Sequence, residues 1–180
     1  MAISSSDLLY KTSTTAGSAG NTNTQTVAGS SLGKYVSTSS ITTATLNNLF
    51  PDVTGDENSA SNVDYQCMFI HNNHATLTLT SPKAWQSAET SGGVDCAIGL
   101  DPAGVTAKGS SSAQAATIAN KNTAPSGVTF SGPTTKSGGL SIADIPAGSV
   151  AAIWVRRTAS NQAALDNDSV TVRVEGDTSA

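Results

Sequence analysis

VDYQCMFIHNNHATLTLT, residues 63–80, sets Tyr65, Cys67 and Phe69 in alternation with Gln66, Met68 and Ile70, and then Leu77 and Leu79 in alternation with Thr76, Thr78 and Thr80. Alternation with a period of two is the signature of a strand with two unlike faces. Between the two runs stands His71-Asn72-Asn73-His74, where asparagine tolerates the positive φ of a tight turn. Two period-two runs joined by such a quartet predict an antiparallel β-hairpin.

The pattern recurs along the chain. Residues 150–157, VAAIWVRR, form an apolar run dense enough to be a strand buried on both faces. Residues 169–175, SVTVRVE, alternate cleanly with three valines on one side. The polar residues 161–167 between them predict a second hairpin. Residues 94–100 and 128–130 read as further strands, and Asp101-Pro102-Ala103-Gly104 and Pro146-Ala147-Gly148 as turns. Leu46, Leu49 and Phe50 fall at helical spacing before Pro51, which predicts one helical turn, followed by a polar loop over 52–62. Residues 108–126 fit a short strand or a loop equally. Strands separated by turn signals, with no sustained helical period, predict an all-β fold: a two-sheet β-sandwich of jelly-roll or immunoglobulin-like type.

Residues 1–40 stand apart from the sandwich domain expected over 41–180. Ile3, Leu8, Leu9 and Tyr10 make a small apolar cluster, followed by a Ser/Thr/Gly/Asn run over 12–31 without periodicity. Two readings stay open here: a flexible tail, or an extended N-terminal arm whose Ile3, Leu8, Leu9 and Tyr10 anchor on a neighbouring subunit. The arm reading predicts that deleting residues 2–35 leaves the domain folded but weakens attachment.

Composition excludes several functions. The chain has 180 residues, net charge -4, 12% charged and 4% aromatic residues. Its polarity is therefore carried by Ser, Thr, Asn and Gly, which suits exposed sheet faces better than disorder. Nine scattered Lys and Arg, against thirteen acidic residues, do not make a nucleic-acid surface; the adjacent Arg156-Arg157 reads as a solvated strand end or a subunit contact. No run approaches the roughly 20 apolar residues of a membrane span, and the first residues lack the pattern of a secretion signal. Cys67 and Cys96 then read as buried free thiols.

No catalytic constellation emerges. His71 and His74 near Cys67 are zinc-ligand types, but Cys96 has no partner cysteine and a turn would expose both imidazoles, so no metal or other cofactor is expected. Asp52, Asp56 and Glu57, and Asp166 with Asp168, do not match a calcium loop. Both histidines lie in one quartet, and nothing in the spacing singles out partners for a Ser-His-Asp triad. The chain reads as a non-enzymatic protein, with Trp85, Trp154 and Tyr65 as core or subunit-packing groups.

The segments LNNLF (46–50), VDYQCMFIHNNHATLTL (63–79), CAIGLDP (96–102), APSGVTFS (124–131), IPAGSVAAIWVRR (145–157) and VRVEGDT (172–178) resemble a family of small structural proteins of tailed bacteriophages and prophages. The resemblance spans residues 3–178, and its motifs are structural. It implies a virion component assembled in the bacterial host cytoplasm and no catalytic residues. Size, β content and an arm fit a capsid decoration (cement) protein that binds the major capsid protein and itself, as a homotrimer at three-fold points. The alternative is a tail component: a tail-tip, baseplate or fibre-attachment module.

Overall fold

The structure, a computed structural model, describes residues 2–17 and 22–178. Two antiparallel sheets pack face to face as a β-sandwich. After a 3-10 turn at Ser5–Asp7 come β1 (Leu8–Thr14), β2 (Tyr35–Ser40), a short helix α1 (Gly55–Ser59), β3 (Val63–Asn72), β4 (Leu79–Glu89), β5 (Asp95–Ala107), β6 (Leu140–Ser141), β7 (Ser149–Thr158) and β8 (Val170–Thr178). The larger sheet has the order β2-β1-β3-β7-β5 and the smaller one β6-β4-β8.

Alternation along the strands builds two cores rather than one. Met68 and Ile70 of β3, Ala151, Ile153 and Val155 of β7 and Ile98 of β5 face the smaller sheet, where Leu79, Ala84 and Val174 meet them. Cys67 and Phe69 of β3 and Val150, Ala152 and Trp154 of β7 point to the opposite, outer face of the large sheet. A sheet buried on both faces explains why the β7 run is almost wholly apolar. The outer face is clad by loops: Ala115 and Ile118 are buried there with Leu32 and Val128 packed against them. Residues 108–131 therefore form a covering loop, tied down by Ile118 N–H to Leu32 O (3.1 Å) and by a bridge between Ile98 and Ser131. The strand expected at 128–130 is reduced to that bridge.

Neither expected hairpin forms. β3 lies in the large sheet and β4 in the small one, so 73–78 is a corner between sheets. The reason is legible in Asn72, whose Nδ2 donates to Leu77 O and Ile145 O, both at 2.8 Å, spanning the corner instead of closing a two-strand turn. β7 and β8 are likewise divided between the sheets. The helical turn expected at 46–50 is a series of bends in which Leu49 is buried and Leu46 is exposed. The helix forms later, at α1, where Thr54 and Glu57 make a capping box.

The structure differs most from the sequence reading in residues 1–40. β1 and β2 pair with each other, and β1 pairs with β3 from Leu8↔Asn72 to Thr12↔Met68. The described part of the expected arm is thus an integral piece of the large sheet. What orders the Ser/Thr-rich run is buried hydroxyl bonding. Ser31 Oγ donates to Cys67 O (2.5 Å) and accepts from Ser13 N–H (2.7 Å), while Ser13 Oγ accepts from Gly33 N–H (2.7 Å). Ser31 N–H in turn donates to Gln66 Oε1 (2.8 Å). Residues 18–21 of that run lie outside the described residues.

Candidate functional site

The expected anchor residues do come together, on their own chain. Ile3, Leu8 and Tyr10 pack against the inter-sheet core. With Leu79, Arg173, Val174, Glu175 and Gly176 they line a cleft of about 350 Å³ between the N-terminal segment and β8. Tyr10 accepts a hydrogen bond on its hydroxyl from Val174 N–H (3.1 Å), and Ile3 N–H donates to Thr178 Oγ1 (3.1 Å). Burial pushes the Tyr10 phenol above its ordinary pKa. Leu9 points the other way, beside His71 on the outer face of the large sheet.

β8 is the edge strand of the smaller sheet. Val174 N–H turns away from β4 to reach Tyr10, so the outer side of β8 is where unpaired main-chain groups are presented. Its exposed face carries Arg173 and Glu175, joined at 3.3 Å, with Lys136 3.4 Å from Glu175. A cleft that sets Ile3, Leu8 and Leu79 beside Arg173 and Glu175 along a strand edge is a geometry for holding an extended segment of another protein.

The remaining candidates are absorbed by the fold. His71 is buried at 1% exposure on β3, not exposed in a turn. Burial, then Lys108 and Lys11, lower its pKa to about 4, so the imidazole is neutral near pH 7. His74 is half-buried, and its Nδ1 accepts from the N–H groups of Thr76 (3.2 Å) and Leu77 (3.0 Å), shaping the corner. Cys67 and Cys96 are free; burial pushes the Cys67 thiol well up and the Cys96 thiol to about 12, the latter with help from Glu89 and Asp168. Neither is a nucleophile at neutral pH. Asp168 accepts from Val94 N–H (2.8 Å) and Asp166 is exposed. Among the described residues no three His, Cys, Asp or Glu side chains gather as a metal site, and no helix is long and apolar enough to cross a membrane.

Arg157 is a buried residue, not a solvated strand end. Its Nη2 donates to Asp64 Oδ2 (2.6 Å), its Nη1 to Pro51 O (2.6 Å), and its guanidinium lies 4.7 Å from the Phe50 ring. Lys121 pairs with Glu57 and Asp64, and Asn122 Nδ2 donates to Asp64 Oδ1 (2.7 Å). This network staples the 50–62 and 120–122 loops to the ends of β3 and β7. Arg156 lies over Phe130 at 5.5 Å, and Phe130 is tilted against Tyr65 at 5.4 Å. Trp154 is wholly buried and donates from Nε1 to Asp101 Oδ2 (2.7 Å), an oxygen that also accepts from Ala116 N–H (2.8 Å). Trp85 is buried on β4.

Sequence reasoning missed Asp101, which reads as a turn residue, and the group of Lys11, Thr106 and Lys108, which are far apart in the chain. The Asp-Pro pair at 101–102 was the one local signal, and it points to a turn. No family model, no curated protein and no solved structure matches this chain.

Proposed function

We propose that the protein is a non-enzymatic structural component of a tailed-bacteriophage virion, most specifically a capsid decoration protein that binds the major capsid protein and associates with itself as a homotrimer. One observation carries the non-enzymatic part. Many of the buried polar groups, among them Ser13, Ser31, Asp64, Arg157 and Asp101, are bonded to the chain itself and hold loops on the sheet. Side chains arranged for chemistry converge instead on an accessible cleft. A small sandwich clad on both faces of its larger sheet is a stiff unit, which suits a lattice-bound part. The segments that resemble phage structural proteins supply the class of particle.

The cleft between Ile3, Leu8, Tyr10 and β8 supports binding of an extended protein segment, such as a capsid loop or the edge of a neighbouring copy. It also supports the second reading, a tail-tip, baseplate or fibre-attachment module, since tail parts assemble through the same kind of strand contact. Copy number separates the two. Quantitative mass spectrometry of purified virions encoding this chain is expected to find it near the abundance of the major capsid protein. A handful of copies per particle moves it to the tail, and its absence from virions refutes the virion reading. Light scattering of the purified chain tests the trimer independently.

A further inference from the structure

Four polar side chains on the outer face of the large sheet are left unexplained by the fold. Across β1, β3, β7 and β5 the register brings Leu9, His71, Val150 and Thr106 into one row, all on the outer face, with Lys11 one pair further along β1 opposite Phe69. His71 Nδ1 and Thr106 Oγ1 are both shielded from solvent without a hydrogen-bond partner. A buried imidazole nitrogen at 1% exposure with nothing to bond is costly, and native structures rarely leave one so.

The charges around this row are all of one sign. The neighbours acting on His71 are Lys108 and Lys11, and the neighbour acting on Lys11 is Lys108; no carboxylate acts on either. Neither lysine makes an ion pair among the described residues. Lys11 is buried and uses one of its three protons on Thr38 O (3.0 Å), while Lys108 is half-buried where the chain leaves β5. Asp101, a carboxylate buried beneath the cladding loops, is already engaged by Trp154, Ala116 and Ala103. Two cations held together without a counter-charge, beside two unpartnered hydrogen-bonding groups, form the complement of an anion.

We propose that this row is an oxyanion-binding site, taking a carboxylate or a phosphate group between Lys11, His71, Thr106 and Lys108. His71 and Thr106 flank Val150 across two strand spacings, about 10 Å. A neutral imidazole donates from Nδ1 in one tautomer, Thr106 donates its hydroxyl proton, and the lysines supply charge. The site does not depend on the virion reading. It would serve equally for a free phosphate or for an acidic side chain presented by a neighbouring protein.

The test follows the His71 imidazole resonances of the full chain during titration with inorganic phosphate and with acetate, at constant ionic strength against chloride. A saturable shift with a rise in the His71 pKa is expected, weakened about tenfold in Lys108→Met by loss of one charge-assisted contact. Thr106→Val is expected to weaken it as well, and provides the same test if Lys108→Met does not fold. Lys83→Met, on the smaller sheet, is expected to leave it unchanged. Phosphate saturating far below acetate identifies a phosphate group as the ligand, and acetate saturating far below phosphate identifies a carboxylate. A shift that does not saturate with either anion overturns the proposal. So does a saturable shift untouched by both variants.

Discussion

Acid destabilisation between about pH 7 and about pH 5 is expected to run through His71, and its size follows from burial. The imidazole binds its proton at about 4 in the folded chain against 6.5 for the free side chain, because burial and then Lys108 and Lys11 oppose the charge. Between those values the unfolded chain takes up a proton that the folded chain refuses. Stability is therefore fully present above about 6.5 and is lost as the pH falls towards 4. Integrating the proton difference from pH 7 to pH 5 predicts a loss of about 2 kcal/mol. His71→Leu keeps an apolar group beside Leu9 and Val150 and has nothing to titrate. Urea unfolding at both pH values, followed by tryptophan fluorescence in chloride, should show the wild type losing about 2 kcal/mol more than the variant. Glu57 does not interfere, since its titration lies below 4.5. Parallel pH dependences of wild type and variant would refute the reasoning. Phosphate in place of chloride should shrink the wild-type loss if an oxyanion sits on His71.

Four further outcomes are expected. Asp101→Ala strands the Trp154 indole N–H and the Ala116 and Ala103 N–H groups, at a cost of about 3 kcal/mol in urea unfolding; a loss below about 1 kcal/mol would show that the loop re-pairs these donors. Gly33→Ala puts a Cβ into Ala116 O at a φ of +88° and should cost at least about 2 kcal/mol, whereas an unchanged melting temperature would contradict the tight docking of 31–34. Glu57 is held at about 2, first by its hydrogen bond from Lys121 and then by Thr54 N–H. Its stabilisation is present above 4.5 and lost as the pH falls to about 2. Glu57→Gln should therefore flatten that acid limb and cost about 1 kcal/mol at neutral pH after allowance for partial exposure; an unaltered limb excludes the pair as its source. Deleting residues 2–14 removes β1 from between β2 and β3, so cooperative unfolding should disappear; a folded, cooperative deletion variant would restore the separable arm.

The sequence by itself determined the class of fold and the identity of the inner strands. Period-two alternation at residues 63–72 and the unbroken apolar run of β7 report faces that are buried, and burial of alternate side chains is a local, additive signal. Only the tertiary structure decided which strands pair. A run such as 71–78 looks the same whether it closes a hairpin or turns a corner, and the choice lies with Asn72 reaching Ile145, a residue 73 positions away. The fate of residues 1–40 was hidden for a related reason. Ser13, Ser31 and Gly33 carry no hydrophobic period, and they are ordered by hydroxyls that bond one another's main-chain N–H groups and the Cys67 carbonyl of β3, partners far apart in the chain. The row of Lys11, His71, Thr106 and Lys108 was invisible for the same cause, since sheet register and not sequence distance makes them neighbours.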